Sequence, residues 1–161
     1  MIDGAFNRIM DAEHDPKRYI LIAKRHAASC GWSWEHTREY ANFDAETKKC
    51  YVSLGDDEPF AENVWITIDA DTLKVEQALH LPKLLKPVSR MAALQKATDY
   101  ATANGWPWSS EVYSRLDWEF DPSENCRHVW VFDLHLWSGA NTHIVVDAEM
   151  GIVVSGYRAE Y

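Results

Sequence analysis

The sequence predicts an α+β fold of two like units, each a helix followed by a meander of antiparallel strands, and three observations carry the prediction. Gly-Trp-x-Trp occurs twice, beginning at Gly31 and at Gly105, each time after an alanine-rich segment. After each motif the hydrophobic period changes from helical to alternating. An Asp-Ala turn recurs as well: "IDADTLKV" lies over "VDAEMGIV", so that Asp69 matches Asp147, Ala70 matches Ala148, Asp71 matches Glu149 and Val75 matches Val153.

Taken in order, residues 1–16 read as an N-terminal extension and 17–80 as the first unit. "KRYILIAKRHAASCG" places Tyr19, Ile22, Ala23, His26, Ala27 and Cys30 on one helical stripe, which Gly31 ends. "EYANFDAETKKCYVSL" and "NVWITIDADTLKVEQALHL" then supply strands. Residues 81–88, with two prolines in "LPKLLKPVS", form the linker. The second unit, 89–161, opens on Ser89 as an N-cap, with Ala93, Leu94, Ala97, Tyr100 and Ala101 on the stripe and Gly105 at its end. "RLDWEFD" alternates, "HVWVFDLHLW" puts Trp130, Phe132, Leu134 and Leu136 on one face, and "THIVVDAEMGIVVSGY" gives two strands around a turn at Ala148 to Gly151. A unit of about 70 residues buries a sheet and a helix poorly alone, so pairing two of them makes a larger core. A need shared by both halves suits helix-end packing of Trp32, Trp34, Trp106 and Trp108 better than an aromatic platform.

With 161 residues, 47% of them hydrophobic, and only 6 Pro and 7 Gly, the chain is globular. Its 8 Trp, 7 Tyr and 5 Phe suit both cores and recognition surfaces. A net charge of -9, from 25 acidic and 16 basic residues, repels phosphates and anionic lipid and favours a basic or neutral protein partner. No apolar run approaches the roughly 20 residues that span a bilayer, and "MIDGAFNRIMDAEHDPKRY" lacks the pattern of a secretion signal, so a cytoplasmic location is expected. Cys30, Cys50 and Cys126 form no CxxC pair and read as reduced thiols.

A helix ending in Gly, two strands, and a hairpin of the form apolar-apolar-Asp-Ala-x-x-Gly-x-Val resemble the PepSY domain, and "VVDAEMGIVV" matches that closing motif. The first half departs from it at Leu73, where the family has Gly, so its turn must differ or carry strain. The resemblance implies a tandem of non-catalytic, inhibitory or regulatory binding modules and brings no catalytic residues. In size, acidity and layout the chain is also similar to small immunity proteins of bacterial toxin systems.

Candidate sites are few. "LGDDEPFAEN" interrupts the repeat and sets Asp56, Asp57, Glu58 and Glu62 around Phe60; such carboxylates can steer toward a basic cleft, with the aromatic ring filling a pocket. A strand face with Asp133, His135 and Trp137 adds to the same expected partner-binding surface. His135 and His143 on neighbouring strands, with Asp133 and Asp147 on their face, raise a metal-dependent hydrolase as the rival reading. Close-spaced Cys or His pairs are absent, and so are a Ser-His-Asp signature, a nucleophile elbow and a phosphate loop. Asp69 and Asp147 read as turn residues that accept backbone N–H bonds. The sequence therefore leads us to expect a non-enzymatic protein-binding module without metal or cofactor, an immunity or inhibitor protein that occludes a partner's active site. A regulatory, peptidase-inhibiting module outside the cytoplasm is the alternative.

Overall fold

The computed structural model describes residues 14–33, 36–109, 111–136 and 139–160. They form two helices and two antiparallel four-stranded sheets, an α+β architecture, and the chain divides into two compact units between Pro82 and Lys83. In the first unit, helix α1 (Pro16–Ser29) precedes strands β1 (Arg38–Asp44), β2 (Lys49–Gly55), β3 (Asn63–Asp69) and β4 (Val75–Leu81), whose order in the sheet is their order in the chain. In the second, helix α2 (Arg90–Ala103) precedes β5 (Tyr113–Phe120), β6 (Cys126–His135), β7 (Ala140–Asp147) and β8 (Val153–Glu160), again in chain order.

Both helices start on a side-chain cap. The Asp15 carboxylate accepts the Lys17 N–H, and Pro16 occupies the first turn, where a missing N–H breaks no helical bond. Ser89 accepts the Ala92 N–H at 3.1 Å, in the capping position that the sequence indicates. Gly31 and Gly105, at φ 75° and 65°, turn the chain out of each helix. The Trp32 and Gly31 N–H groups then bond the Ala27 and Ala28 carbonyls, and those of Trp106 and Gly105 bond Ala101 and Thr102. This pairing satisfies carbonyls that a helix end otherwise leaves without partners, and it folds the apolar residue after the glycine back onto the core. Trp32 packs on the first core, and Trp106 and Trp108 on the second; Trp34 lies outside the described residues.

The buried face of each helix is mostly alanine, with Tyr19 added in the first. Tyr19, Ala23 and Ala27 in α1, and Ala93, Ala97 and Ala101 in α2, are fully buried. Cys30, expected on the same stripe, is exposed, because it is the C-cap and the chain there is already leaving the helix. Against α1 lie Val52, Leu54, Val64, Ile66 and Ile68, the alternate positions of β2 and β3. Against α2 lie Phe132, Leu134, Ile144 and Val146, with Trp130 and Leu136 half-buried beside them, which is the face expected for β6. Tyr100 crosses β8 at Gly156, where a Cβ would approach its ring to 2.6 Å.

The β3–β4 and β7–β8 turns close in the same way. Asp69 Oδ1 accepts the N–H groups of Asp71 and Thr72, and Asp147 Oδ1 those of Glu149 and Met150. Leu73 and Gly151 bond back to the Asp69 and Asp147 carbonyls, and both adopt positive φ, 60° and 67°. Leu73 thus holds the glycine conformation at a cost of about 1–2 kcal/mol, which its packing on the first core offsets.

Two substitutions test this packing. Ala97→Leu drives a larger side chain between α2 and its sheet and should lower unfolding free energy by about 1–3 kcal/mol in urea titrations. Gly151→Ala should cost about 1–2 kcal/mol, because the new Cβ keeps the left-handed backbone and meets Val88 at 3.2 Å.

Candidate functional site

The loop between β2 and β3 is held rather than loose. Asp56 accepts both the backbone N–H and the hydroxyl of Thr37, each at 2.9 Å, which ties the loop to the start of β1. Asp57 pairs with Arg38 at 3.1 Å while its side chain stays 77% exposed. The Ala61 N–H bonds the Glu58 carbonyl, and Phe60 adopts φ 60°, so the tip is a closed turn. Gly55 leaves the space that Asn63 occupies at the loop's base.

Four carboxylates displayed around an open aromatic ring are not what this loop presents. Glu62 turns away from the tip and meets His80 Nε2 at 2.6 Å, with both side chains largely covered. The His80 ring in turn stacks on Trp32 at 4.8 Å. Phe60 is half-buried. Asp57 and Glu58 are the acidic side chains that the tip exposes, and Asp56 and Glu62 serve to shape it.

In the second unit the pairing of Asp133 with His143 and of His143 with Tyr157 places these residues on the sheet face opposite Phe132 and Leu134. Asp133 Oδ1 accepts from His143 Nδ1 at 2.5 Å, Asp133 Oδ2 accepts from Arg115, and the Tyr157 ring stacks on His143 at 4.9 Å. A polar row therefore crosses all four strands. At the other end of the same strands, Arg127 joins Glu119 at 2.7 Å to Asp147 at 3.5 Å. Partial burial alone would raise the Asp133 pKa, but the hydrogen bonds from His143 and Arg115 outweigh it and hold the carboxyl below its ordinary value of 3.8. An ionised Asp133 bonded to His143 Nδ1 fixes the orientation of the imidazole.

His135 stands apart from this pair. It is exposed, and its Nδ1 meets Asn141 Oδ1 at 2.7 Å. Among the described residues no three His, Cys, Asp or Glu side chains converge in a group that could hold a metal ion, so the grouping of His135, His143 and Asp133 is a pair with a neighbour and not a ligand set. Trp137 lies outside the described residues. Sequence reading placed Asp133 and His143 on one face but did not single out Tyr157, which reaches the row through its register with His143, or Arg115, which is paired with Val131 and reaches Asp133 diagonally. Among the described residues, no helix is long and apolar enough to cross a membrane.

The lowered Asp133 pKa has a pH signature. Its stabilisation is fully present above the ordinary value of 3.8 and is lost as pH falls through the lower folded-state value. Asp133→Asn should therefore unfold at lower urea than the native chain at pH 7, and the difference should shrink steadily below pH 3.8. A difference independent of pH down to 2 would mean that the Asp133 charge contributes nothing.

No family model matches the sequence, and no curated protein matches it. Among solved structures, the chain is similar to the Bacillus megaterium YpeB C-terminal domain at 10% identity, with a TM-score of 0.34. The match covers 91% of this chain and spans 66% of the length of that one.

Proposed function

We propose that the chain is a non-enzymatic protein-binding module, a tandem of PepSY-like helix-plus-meander repeats, which inserts its acidic loop into a basic cleft and occludes the partner's active site as an immunity or inhibitor protein does. The observation that carries this reading is the preformed tip of the β2–β3 loop. Asp56 and the Glu58–Ala61 turn hold its backbone, so Asp57 and Glu58 face solvent without the ordering cost that a loose loop meets on binding. In a chain of net charge -9, such a tip draws a basic surface from a distance, and electrostatic steering of this kind acts mainly on association. Beside the half-buried Asp133–His143 pair, the exposed His135 can add contacts.

A hydrolase reading has one observation in its favour, the Asp133–His143 pair, since a carboxylate on Nδ1 is how a general base is oriented. The stacked Tyr157 ring covers one face of that imidazole, and the described residues bring no third ligand to it.

The test is a pull-down from the native host followed by kinetics on the partner recovered. Asp57→Lys with Glu58→Lys should leave the melting temperature within a degree or two, because exposed charges contribute little to stability. Association with the partner should slow by about tenfold or more at low salt and lose its salt dependence. Wild-type kinetics in the double variant would overturn the loop's role, and hydrolytic turnover abolished by His143→Ala would overturn the non-enzymatic reading.

A further inference from the structure

The start of the second unit reverses the charge of the molecule. From Lys83 to Thr98 the chain carries no carboxylate and four cations, Lys83, Lys86, Arg90 and Lys96, although the whole sequence has 25 acidic residues against 16 basic ones. All four are exposed, and among the described residues none of them stands in an ion pair.

The same end of this unit exposes apolar side chains. Leu85 and Met91 are each 79% exposed, Met150 68% and Ile152 53%. Val88 gathers them. Its N–H donates to the Ala148 carbonyl at 2.7 Å and its carbonyl accepts from the Trp130 indole at 2.9 Å, which pins the segment before α2 across the β7–β8 turn. Val88 lies against Gly151 so closely that a Cβ there would meet it at 3.2 Å. Met150 and Ile152 flank that glycine, while Leu85 stands three residues before Val88 and Met91 three after it.

We infer that this end of the second unit is a docking surface for an anionic lipid bilayer, with Leu85, Met91 and Met150 entering the acyl boundary and Lys83 and Lys86 at the headgroup phosphates. Exposures this high belong to side chains that protrude, and protruding side chains enter a soft medium, whereas a partner's helix or strand needs a groove. All four apolar side chains are aliphatic in a chain with 8 Trp, 7 Tyr and 5 Phe, and aromatic rings and Arg are what anchor protein interfaces. Leu, Met and Ile keep in fluid lipid the rotamer freedom that they lose in a packed interface. Lysine suits a diffuse field of phosphates, because its ammonium is a point charge whose flexible stem stays on the apolar side. Apolar insertion beside cations is how peripheral surfaces hold to anionic lipid.

The net charge of -9 opposes distant approach more than contact. At physiological salt the field of a charge decays over about 8 Å. Asp121 and Glu124, in the β5–β6 turn, leave the same end of the sheet two strands away, about 10 Å off. Asp147 is taken up by its turn and by Arg127. Glu149 is the exposed carboxylate of the β7–β8 turn, set against Lys83, Lys86 and Arg90.

Co-sedimentation with vesicles of phosphatidylcholine alone, or with one-third phosphatidylglycerol, tests the inference. Binding is expected with the anionic vesicles, and roughly tenfold weaker or less with the neutral ones or in half-molar salt. Lys83→Glu with Lys86→Glu should abolish it, and Leu85→Gln with Met91→Gln should weaken it by about tenfold. These positions are exposed, so melting temperatures should stay within a degree or two. Asp57→Lys with Glu58→Lys should not weaken it, which keeps the outcome separate from that of the acidic loop. Absence of binding at millimolar anionic lipid would overturn the proposal, and so would undiminished binding of either patch variant. Capture by decaglutamate of a chain that ignores vesicles would assign the patch to an acidic peptide and overturn it too.

Discussion

The close seating of each helix on its sheet governs the rest of the structure. Ala23 and Ala27, and Ala93, Ala97 and Ala101, put nothing longer than a methyl group between helix backbone and sheet along most of each helix. The strands therefore provide much of the bulk of each core, through Leu54, Ile66 and Ile68 in one unit, where Tyr19 of the helix joins them, and Phe132, Ile144 and Val146 in the other. Such an interface leaves little room for adjustment, since interiors are packed like crystals. It also depends on where the helix stops. The glycine that turns the chain at Gly31 or Gly105 sends the following tryptophan back over the open end of the same core, and so closes it.

Covering one face of each sheet in this way leaves the other to mixed rows, because side chains alternate across a strand. In the first unit that face sets Tyr40, Ser53 and Trp65 in one row and the charged Asp44, Lys49 and Asp69 in another. In the second a buried cluster of Val129, Val131 and Val145 lies beside the charged row, in which Arg115, Asp133 and His143 are bonded across three strands and Tyr157 stacks on the fourth. The acidic loop adds a third surface, whose backbone is fixed by its own carboxylates. Asp56 and Glu62 shape the tip from within, and Asp57 and Glu58 are what it shows to solvent.

These arrangements differ in how far each could be read beforehand. The helix stripes, the Ser89 cap, the glycine stops and the Asp69 and Asp147 turns are local: each depends on residues within a few positions, and periodicity or turn chemistry marks them. The Leu73 turn was marked as an anomaly for the same reason, and its positive φ shows that strain, not a different turn, is the outcome. The bond from Glu62 to His80 joins residues 18 positions apart. The link from Arg115 to Asp133 is equally distant in the chain. Neither has a local pattern to announce it.

By itself, then, the sequence determined the α+β class, the positions of both helices and their glycine stops, the buried face of the central strands and the Asp turns, because backbone preference and hydrophobic period act over one or two turns of chain. Only the tertiary structure decided which charges are displayed and which are spent internally. Those outcomes rest on strand register, and register is a relation between segments that no single segment encodes. Glu58 and Glu62 look alike in the sequence; pairing β3 with β4 brings His80 beside one of them and leaves the other in water.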